Sequence, residues 1–375
     1  MAYRKIGTFV NQVSEKNTDG KYSDVLGVSI EKEFMPSVAN IIGTDLKKYN
    51  VVRKGRFAFN PMHVGRDKKL PVAMYKADEP ALVSPAYTMF EVSDNEVDLN
   101  YLMLLFKTDI FDHLCWFYTD ASVRGGLTWN DFANIDVDIP TLNEQKKIVN
   151  QYNVITDRIN ILNQINDNLH NIGETLFNNI YFDGEETTLE SLIDSIETGS
   201  RPKGGAEKSG IPSIGAEKIE KFGVYNFSDE KYINVEYYSK MKNGVIKSKD
   251  ILLYKDGAYT GKVTMALNNF PYDKCAINEH VFKINTMNNY AQFFLYFCLN
   301  YKENRNSINA LASSKAAQPG LNQTELKSIT IRKPTDEKII DFELRIEPVM
   351  QNIVSNAREI FELNKLKNLI TEQLF

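Results

Sequence analysis

Ile148, Ile155, Leu162, Leu169 and Leu176 recur at every seventh position of a stretch from Thr141 to Phe182 that contains no proline. Tyr152 and Ile159 fill the intervening positions of the stripe, and Asn166 and Gly173 interrupt it. One apolar seam with a polar back predicts a single long helix. Pro140 stands near its start, where a missing N–H costs nothing, and Thr141 or Asn143 is placed to cap the first turn. At about 1.5 Å per residue the rod is on the order of 50 Å long, which suits a spacer better than a core helix.

The pattern returns between Pro334 and Phe375. Ile339, Ile346, Ile353 and Ile360 are spaced by seven, with Phe342, Val349, Leu363 and Ile370 between them, and Asn356 breaks this second row as Asn166 breaks the first. A lone seam asparagine fixes register at a cost in stability. Each stripe needs a partner, and the simplest one is the other rod, antiparallel. Pro348 lies inside the second stretch, so a kink or a late helix start is expected there.

The segments before the rods are also related. LTWNDFANIDVDIPT (127–141) and LNQTELKSITIRKPT (321–335) align without gaps, 194 residues apart. In both, a leucine opens a turn and short helix, and an alternating strand (Ile135, Val137; Ile329, Ile331) runs into Pro-Thr and a rod. The same offset pairs VVRKGRFAF, from Val51, with VIKSKDILL, from Val245, and Val83 with Ile277. A constant period across three places marks a duplication. The expected organisation is a module over 1–140, a helix over 141–184, a second module over 185–334 and a second helix over 335–375. Each module reads as an irregular, β-rich α/β (α+β) unit. The first is expected to carry a helix over Leu99–Leu114. The second is expected to have strands at Tyr232–Ile233, Ile251–Tyr254 and Val281–Ile284 and a helix over Tyr290–Asn300. Asp183-Gly184-Glu185-Glu186 marks the boundary between the first rod and the second module.

Composition changes this picture little. Hydrophobic residues at 43% and aromatics at 11% fit folded modules. No apolar run reaches membrane-spanning length and the N-terminus has no signal-peptide pattern, so a cytoplasmic protein is expected. Cys115, Cys275 and Cys298 are scattered without metal-ligand spacing and read as buried thiols. The net charge of −5 argues against a generic nucleic-acid coat, yet Lys47–Lys76 holds nine basic residues and one acid. Asp78–Asp138 reverses the balance, with two basic residues and twelve acids. Such asymmetry allows a cationic face on an acidic protein.

Catalytic look-alikes fail on inspection. Asn60-Pro61-Met62-His63 lacks the second proline and the stacking aromatic of the Asn-Pro-Pro-aromatic motif of amino-methyltransferases. Gly257-Ala258-Tyr259-Thr260-Gly261-Lys262-Val263 is one residue short of a phosphate loop and ends in valine, leaving no hydroxyl for magnesium; a glycine turn between strands is expected instead. His63, His113, His170 and His280 do not cluster with acids at metal-ligand spacing, and no Ser or Cys nucleophile signature stands out. Two modules on a rod, with no evident chemistry, point to a two-point reader. B-DNA repeats every ~34 Å, a distance such a rod can span.

At this level of detail the chain resembles the specificity subunit of type I restriction–modification systems. SIETGSRPKGG (195–205), GIPSIGAEKI (210–219) and DILLYKDGAYTGK (250–262) look like elements of one kind of target-recognition domain; GRFAFNPMHVGR (55–66) and LVSPAYTMFEV (82–92) look like another. The resemblance implies two recognition domains separated by two long antiparallel helices in a pseudo-two-fold arrangement, and a bipartite, asymmetric DNA target. It implies no catalysis by this chain. Partners would be double-stranded DNA, two methyltransferase subunits that modify adenine and restriction subunits that cut DNA; S-adenosylmethionine, ATP and Mg2+ would reside on those subunits. The helices would set the spacer between half-sites, with Ile161, Ile165 and Ile172 as candidates for docking the methyltransferases or for packing within the chain.

The candidate DNA-binding residues in the first module are Arg53, Lys54, Arg56, Asn60, His63, Arg66, Lys68, Lys69, Ser84, Tyr87 and Arg124. In the second they are Ser200, Arg201, Lys203, Lys218, Lys255, Tyr259, Lys262, His280 and Lys315. Lysines are expected on phosphates, and Arg201, Asn60 and His63 on base edges. The competing expectation is a scaffold whose two modules bind proteins without DNA specificity.

Overall fold

The computed structural model describes residues 3–38, 43–119, 126–313 and 320–374. The chain divides into two compact units, Met1–Arg158 with Leu363–Phe375, and Ile159–Glu362. Each rod therefore contributes to both units, where the sequence reading set modules and rods apart.

In the first unit the chain forms β1 (Tyr3–Lys5), β2 (Val10–Val13), β3 (Val25–Val28), β4 (Phe34–Pro36), β5 (Asn50–Val52), β6 (Phe57–Phe59), the single turn α1 (Val64–Asp67), β7 (Val72–Met74), β8 (Ala81–Val83) and β9 (Thr88–Val92). Helices α2 (Leu99–Phe106), α3 (Asp109–Phe117) and α4 (Trp129–Ala133), strand β10 (Asp136–Asp138) and the start of α5 (Leu142–Tyr181) follow. Among the described residues the sheets run β2-β9-β6-β7, β4-β3-β8-β5 and β1-β10. Phe57, Phe59 and Phe90 point from the first sheet into a fully buried aromatic core with Phe106, Phe111 and Phe132. The expected single helix over Leu99–Leu114 is two, because Thr108 caps a new one by accepting from the Phe111 N–H at 3.1 Å. A threonine in that role competes with helix continuation.

The second unit continues from α5 with β11 (Glu185–Thr188), β12 (Ile193–Thr198), β13 (Ile211–Ile214), β14 (Tyr232–Ile233), α6 (Val235–Lys240), β15 (Ile251–Tyr254), β16 (Val263–Met265), β17 (Ala276–Ile277) and β18 (Val281–Thr286). Then come α7 (Gln292–Asn300), α8 (Lys302–Ser313), α9 (Gln323–Lys327), β19 (Thr330–Lys333) and α10 (Asp336–Glu372). Its main sheet runs β12-β18-β15-β16, the order of the first module's main sheet with each strand replaced by its counterpart.

The duplication holds at the level of single pairs. Phe57 faces Phe90, and Ile251 faces Ile284, each partner shifted by 194. Val51 pairs antiparallel with Leu82, and Val245 with Ala276. Leu26 pairs parallel with Val83, and Ile214 with Ile277. The Leu127 N–H donates to the Pro61 carbonyl at 3.0 Å, and the Leu321 N–H to the Lys255 carbonyl at 2.9 Å.

The rods are single helices. A capping box opens α5: Glu144 accepts from the Thr141 N–H at 3.0 Å and the Thr141 hydroxyl faces the Glu144 N–H at 3.5 Å. Within the second unit α5 and α10 run antiparallel, since Asn166 meets Asn356, Gly173 lies by Ile346 and Phe177 meets Phe342. Gly173 leaves a notch that the Phe297 ring fills; a Cβ there would collide with it. In the first unit Lys367 lies over the Tyr152 ring, and Leu374 joins Val149 in the core. The late helix start considered at Pro348 does not occur, as α10 begins at Asp336. Pro348 and Leu344 are both exposed, so the carbonyl left without its N–H partner faces the solvent side.

Candidate DNA interface

Three loops meet at one end of each main sheet. In the first module these follow β6 (60–69), precede β9 (84–87) and precede α4 (126–127). In the second they follow β15 (255–262), precede β18 (278–280) and lead to α9 (320–321). The middle loops are built alike. The Ala86 N–H bonds the Ser84 Oγ at 3.3 Å, and 194 residues on the His280 N–H bonds the Asn278 Oδ1 at 2.9 Å. Short side chains that accept from a backbone N–H two residues ahead hold such turns closed.

In the first module the loop triad displays Arg66, Lys68 and Lys69, all exposed. Arg66 pairs with its neighbour Asp67 at 2.7 Å, and that contact raises the guanidinium pKa. The Lys68 ammonium sits 4.6 Å over the Trp116 ring. Asn60 is a cap, its Oδ1 accepting from the Met62 N–H at 3.1 Å. Ser84 closes its turn, and the Tyr87 hydroxyl accepts from the Val28 N–H at 3.2 Å, tying the loop to β3. The His63 side chain and Arg124 lie outside the described residues.

Arg53, Lys54 and Arg56 do not join this group. They precede β6 whereas Asn60 follows it, a separation on the order of 13 Å along an extended strand. Arg53 holds Glu15 at 2.5 Å, Arg56 holds Glu15 at 2.6 Å and Glu91 at 3.3 Å, and Lys54 holds Asp78 at 2.5 Å. The hydrogen bond from Arg53, with further help from Arg56, brings the Glu15 carboxyl down to about 2. The basic run that marked them as DNA contacts is neutralised locally by acids distant in sequence.

In the second module the geometry gathers Arg201, Lys255, His280, Tyr259 and Ser200. Gly199 permits this: β12 ends against the Ile277 carbonyl with no room for a Cβ, and the chain then turns into the loop. Arg201 pairs with Glu279 at 3.0 Å, and His280 stands 3.5 Å from both Glu279 and Asp256. Lys255 reaches Asp256 at 2.9 Å, and the Ser200 and Tyr237 hydroxyls are 2.7 Å apart. Glu279 Oε2 and His280 Nδ1 are buried without a hydrogen-bond partner among the described residues. Tyr259, 64% exposed, tops the β15–β16 hairpin, with Lys262 over its ring at 4.8 Å. This glycine loop joins two strands and precedes no helix, so it is a hairpin turn. Lys262 also pairs with Glu220 at 2.7 Å, and Lys203 is exposed.

Lys218 is removed from the candidate set. It is 7% exposed and spends its ammonium on the carbonyls of Asn226 and Ser228 and on Glu230, whose side chain is 5% exposed. Lys315 lies outside the described residues. Ile161, Ile165 and Ile172 of α5 are 48, 39 and 47% exposed.

Sequence reasoning missed Lys32 and Asp112, a buried pair at 2.7 Å that also receives the Leu70 N–H and so anchors the loop carrying Lys68 and Lys69. No local pattern links residues 80 positions apart. It also missed Trp116 and Phe117 as surface residues. Among the described residues no group of three or more His, Cys, Asp or Glu is placed to hold a metal, and no helix is long and apolar enough to cross a membrane. The three cysteines are buried and unpaired, and burial raises each thiol.

Two copies of one α/β module, each presenting three loops at a sheet end and each leading into a long helix, define a duplicated recognition protein. Residues 71–171 and 183–365 match the type I restriction modification DNA specificity domain, and the chain belongs to that family. It is 22% identical, over 73% of its own length and 67% of the relative's, to the type I restriction enzyme MjaIX specificity subunit of Methanocaldococcus jannaschii. Its fold is similar to that of the type I restriction–modification S subunit from M. genitalium, with a TM-score of 0.60, 14% identity and coverage of 100% of this chain and 96% of the other. The HsdS subunit from Thermoanaerobacter tengcongensis aligns over 100% of this chain and 96% of its own, with 15% identity and a TM-score of 0.39.

Proposed function

We propose that this chain reads a bipartite, asymmetric DNA target, one half with each module, and directs partner subunits that methylate adenine or cleave DNA. The observation that carries the reading is the pair of equivalent loop triads. Their middle and third loops make matching contacts at a shift of 194, while their first loops and their side chains differ: Arg66, Lys68 and Lys69 in one, Lys255, Tyr259 and His280 in the other, with Arg201 beside them. A shared frame with unlike side chains suits two unlike half-sites. The lysines position the duplex through phosphates, and the arginines and polar groups read base edges.

The chain supplies recognition and its partners supply bond-making. Two methyltransferase subunits would bring S-adenosylmethionine, and restriction subunits would bring ATP and Mg2+. The helical segment between the modules would set the number of unspecified base pairs. Exposed Ile161, Ile165 and Ile172 support a protein partner along α5.

The test is single-molecule sequencing of methylated adenines in the host with and without this gene. A split, non-palindromic motif that disappears with the gene is expected. An unchanged methylome, alongside partner binding that shows no DNA sequence preference, would favour a scaffold and overturn the reading.

A further inference from the structure

Helix α3 turns Phe111, Asp112 and Cys115 into the core and Ile110, Trp116 and Phe117 outward. Phe117 is 80% exposed, and Trp116 is 41% exposed even with Lys68 over its ring. Core packing asks for neither ring. Their setting is specific. Lys68 comes from the first loop of the triad and adopts a φ of 53°, which turns the chain beside α3. Arg66 and Lys69 flank it and are exposed. The end of α3 also leads within ten residues to Gly126 and Leu127 of the third loop.

Among the described residues Lys68 and Lys69 leave this edge cationic: Asp67 is engaged by Arg66, Asp112 by Lys32 and the Leu70 N–H, and Asp109 lies at the other end of α3, about 10 Å away. Cations around an apolar aromatic edge complement a polyanion whose sugar rims are apolar. A protein partner would need acids of its own to match Lys68 and Lys69. The shift of 194 places Ala310 and Leu311 of α8 at the positions of Trp116 and Phe117, so the aromatic pair belongs to the first module alone.

We infer that Trp116 and Phe117 extend the first module's DNA face, packing on the deoxyribose edge of the duplex while Lys68 and Lys69 take the flanking phosphates. This rests on the DNA-recognition reading above. It makes α3 a contact element in one half-site with no aromatic counterpart in the other.

The test uses the full chain assembled with its methyltransferase partner and a duplex selected from a randomised pool on the wild-type complex. Phe117→Ala, and Trp116→Ala with Phe117→Ala, should weaken binding to that duplex about tenfold. The salt slope should not change, because no phosphate contact is lost, and partner assembly should be intact. Unchanged affinity overturns the inference. Loss of partner assembly also overturns it, assigning the rings to a protein interface. Failure of the wild-type complex to enrich any duplex sinks the recognition reading itself, and this inference with it.

A second measurement needs no deletion. Trp116 and Trp129 are the two tryptophans of the chain. Trp129→Phe, in a chain labelled with 5-fluorotryptophan, leaves Trp116 as the sole fluorine signal. A shift of that signal on adding the selected duplex is expected, and an unmoved signal overturns the inference.

Discussion

Asn356 donates its side-chain amide to the Oδ1 of Asn166 across 2.8 Å, in the seam between α5 and α10. Asn166 is 8% exposed there, with Ile353 and Leu162 buried in the same seam. The asparagine that breaks each heptad row is therefore the other's partner. Neutral buried pairs of this kind fix register more than they stabilise. Asn166→Leu alone should cost about 1–2 kcal/mol, because it strands the Asn356 amide. Asn166→Leu with Asn356→Leu should recover that loss or exceed it. A double-mutant cycle by denaturant unfolding checks the coupling. Two additive losses would mean that the pair is not coupled.

The second unit carries two oppositely perturbed groups. Burial raises the Glu343 carboxyl to about 8, although the Phe294 N–H donates to it at 2.8 Å. Burial also lowers His170 to about 4, with its Nε2 bonded to the Phe222 carbonyl at 3.0 Å. A raised carboxyl binds more protons folded than unfolded, so its contribution is lost as pH rises from about 4.5 to about 8. A lowered imidazole does the reverse, and its contribution is lost as pH falls from about 6.5 to about 4. Where the windows overlap the slopes oppose each other. Above about pH 6.5 Glu343 acts without His170, and stability should fall by an amount on the order of 2 kcal/mol up to pH 8. Glu343→Gln keeps an acceptor for the α7 N–H and should flatten that decline. Melting curves between pH 6 and 9 decide it, and a decline equal to wild type would remove Glu343 as its cause.

These examples show which parts of the structure were legible in the sequence. The rods were, because a seven-residue apolar period has one helical solution, and Ile339, Ile346 and Ile353 are fully buried as the period requires. The duplication was, because Val51 with Val245 and Val83 with Ile277 mark positions that pair identically in both modules. Charge was less readable. Arg53 and Arg56 looked free because Glu15 and Glu91 lie 35 or more residues away in the chain. Lys218 stands in a polar stretch that gives no sign of the Glu230 pocket. Loop residues such as Arg201 and His280 were assignable to one cluster only once β12 and β18 were paired.

Lys218 makes a discriminating substitution. Replacing it with methionine keeps the stem but leaves the Glu230 carboxylate, 5% exposed at its side chain, without its cation. Breaking one side of a buried pair costs about 3–5 kcal/mol. Lys218→Met should therefore lower the melting temperature of the chain markedly. At a temperature where it is still folded, the assembled complex should keep its DNA affinity and salt slope. A shallower salt slope with unchanged stability would return Lys218 to the interface.

The two basic groups of the first module differ in what holds them. Lys69 and Arg66, the latter paired with its neighbour Asp67, are exposed on the loop triad, whereas Arg53 and Arg56 are held by Glu15, which is distant in sequence. If the triad faces DNA, each of its cations on a phosphate releases a counterion on binding, and log K falls with log salt by roughly 0.9 per contact. Arg66→Glu with Lys69→Glu should weaken binding and reduce that slope by about 2. Arg53→Glu should instead lower thermal stability, since it sets two carboxylates against each other, and leave the slope at its wild-type value. Titrating the assembled complex with duplex between 50 and 200 mM salt, a range over which such slopes resolve, measures both. A slope change from Arg53 and none from Arg66 and Lys69 would move the DNA face to the opposite end of β6.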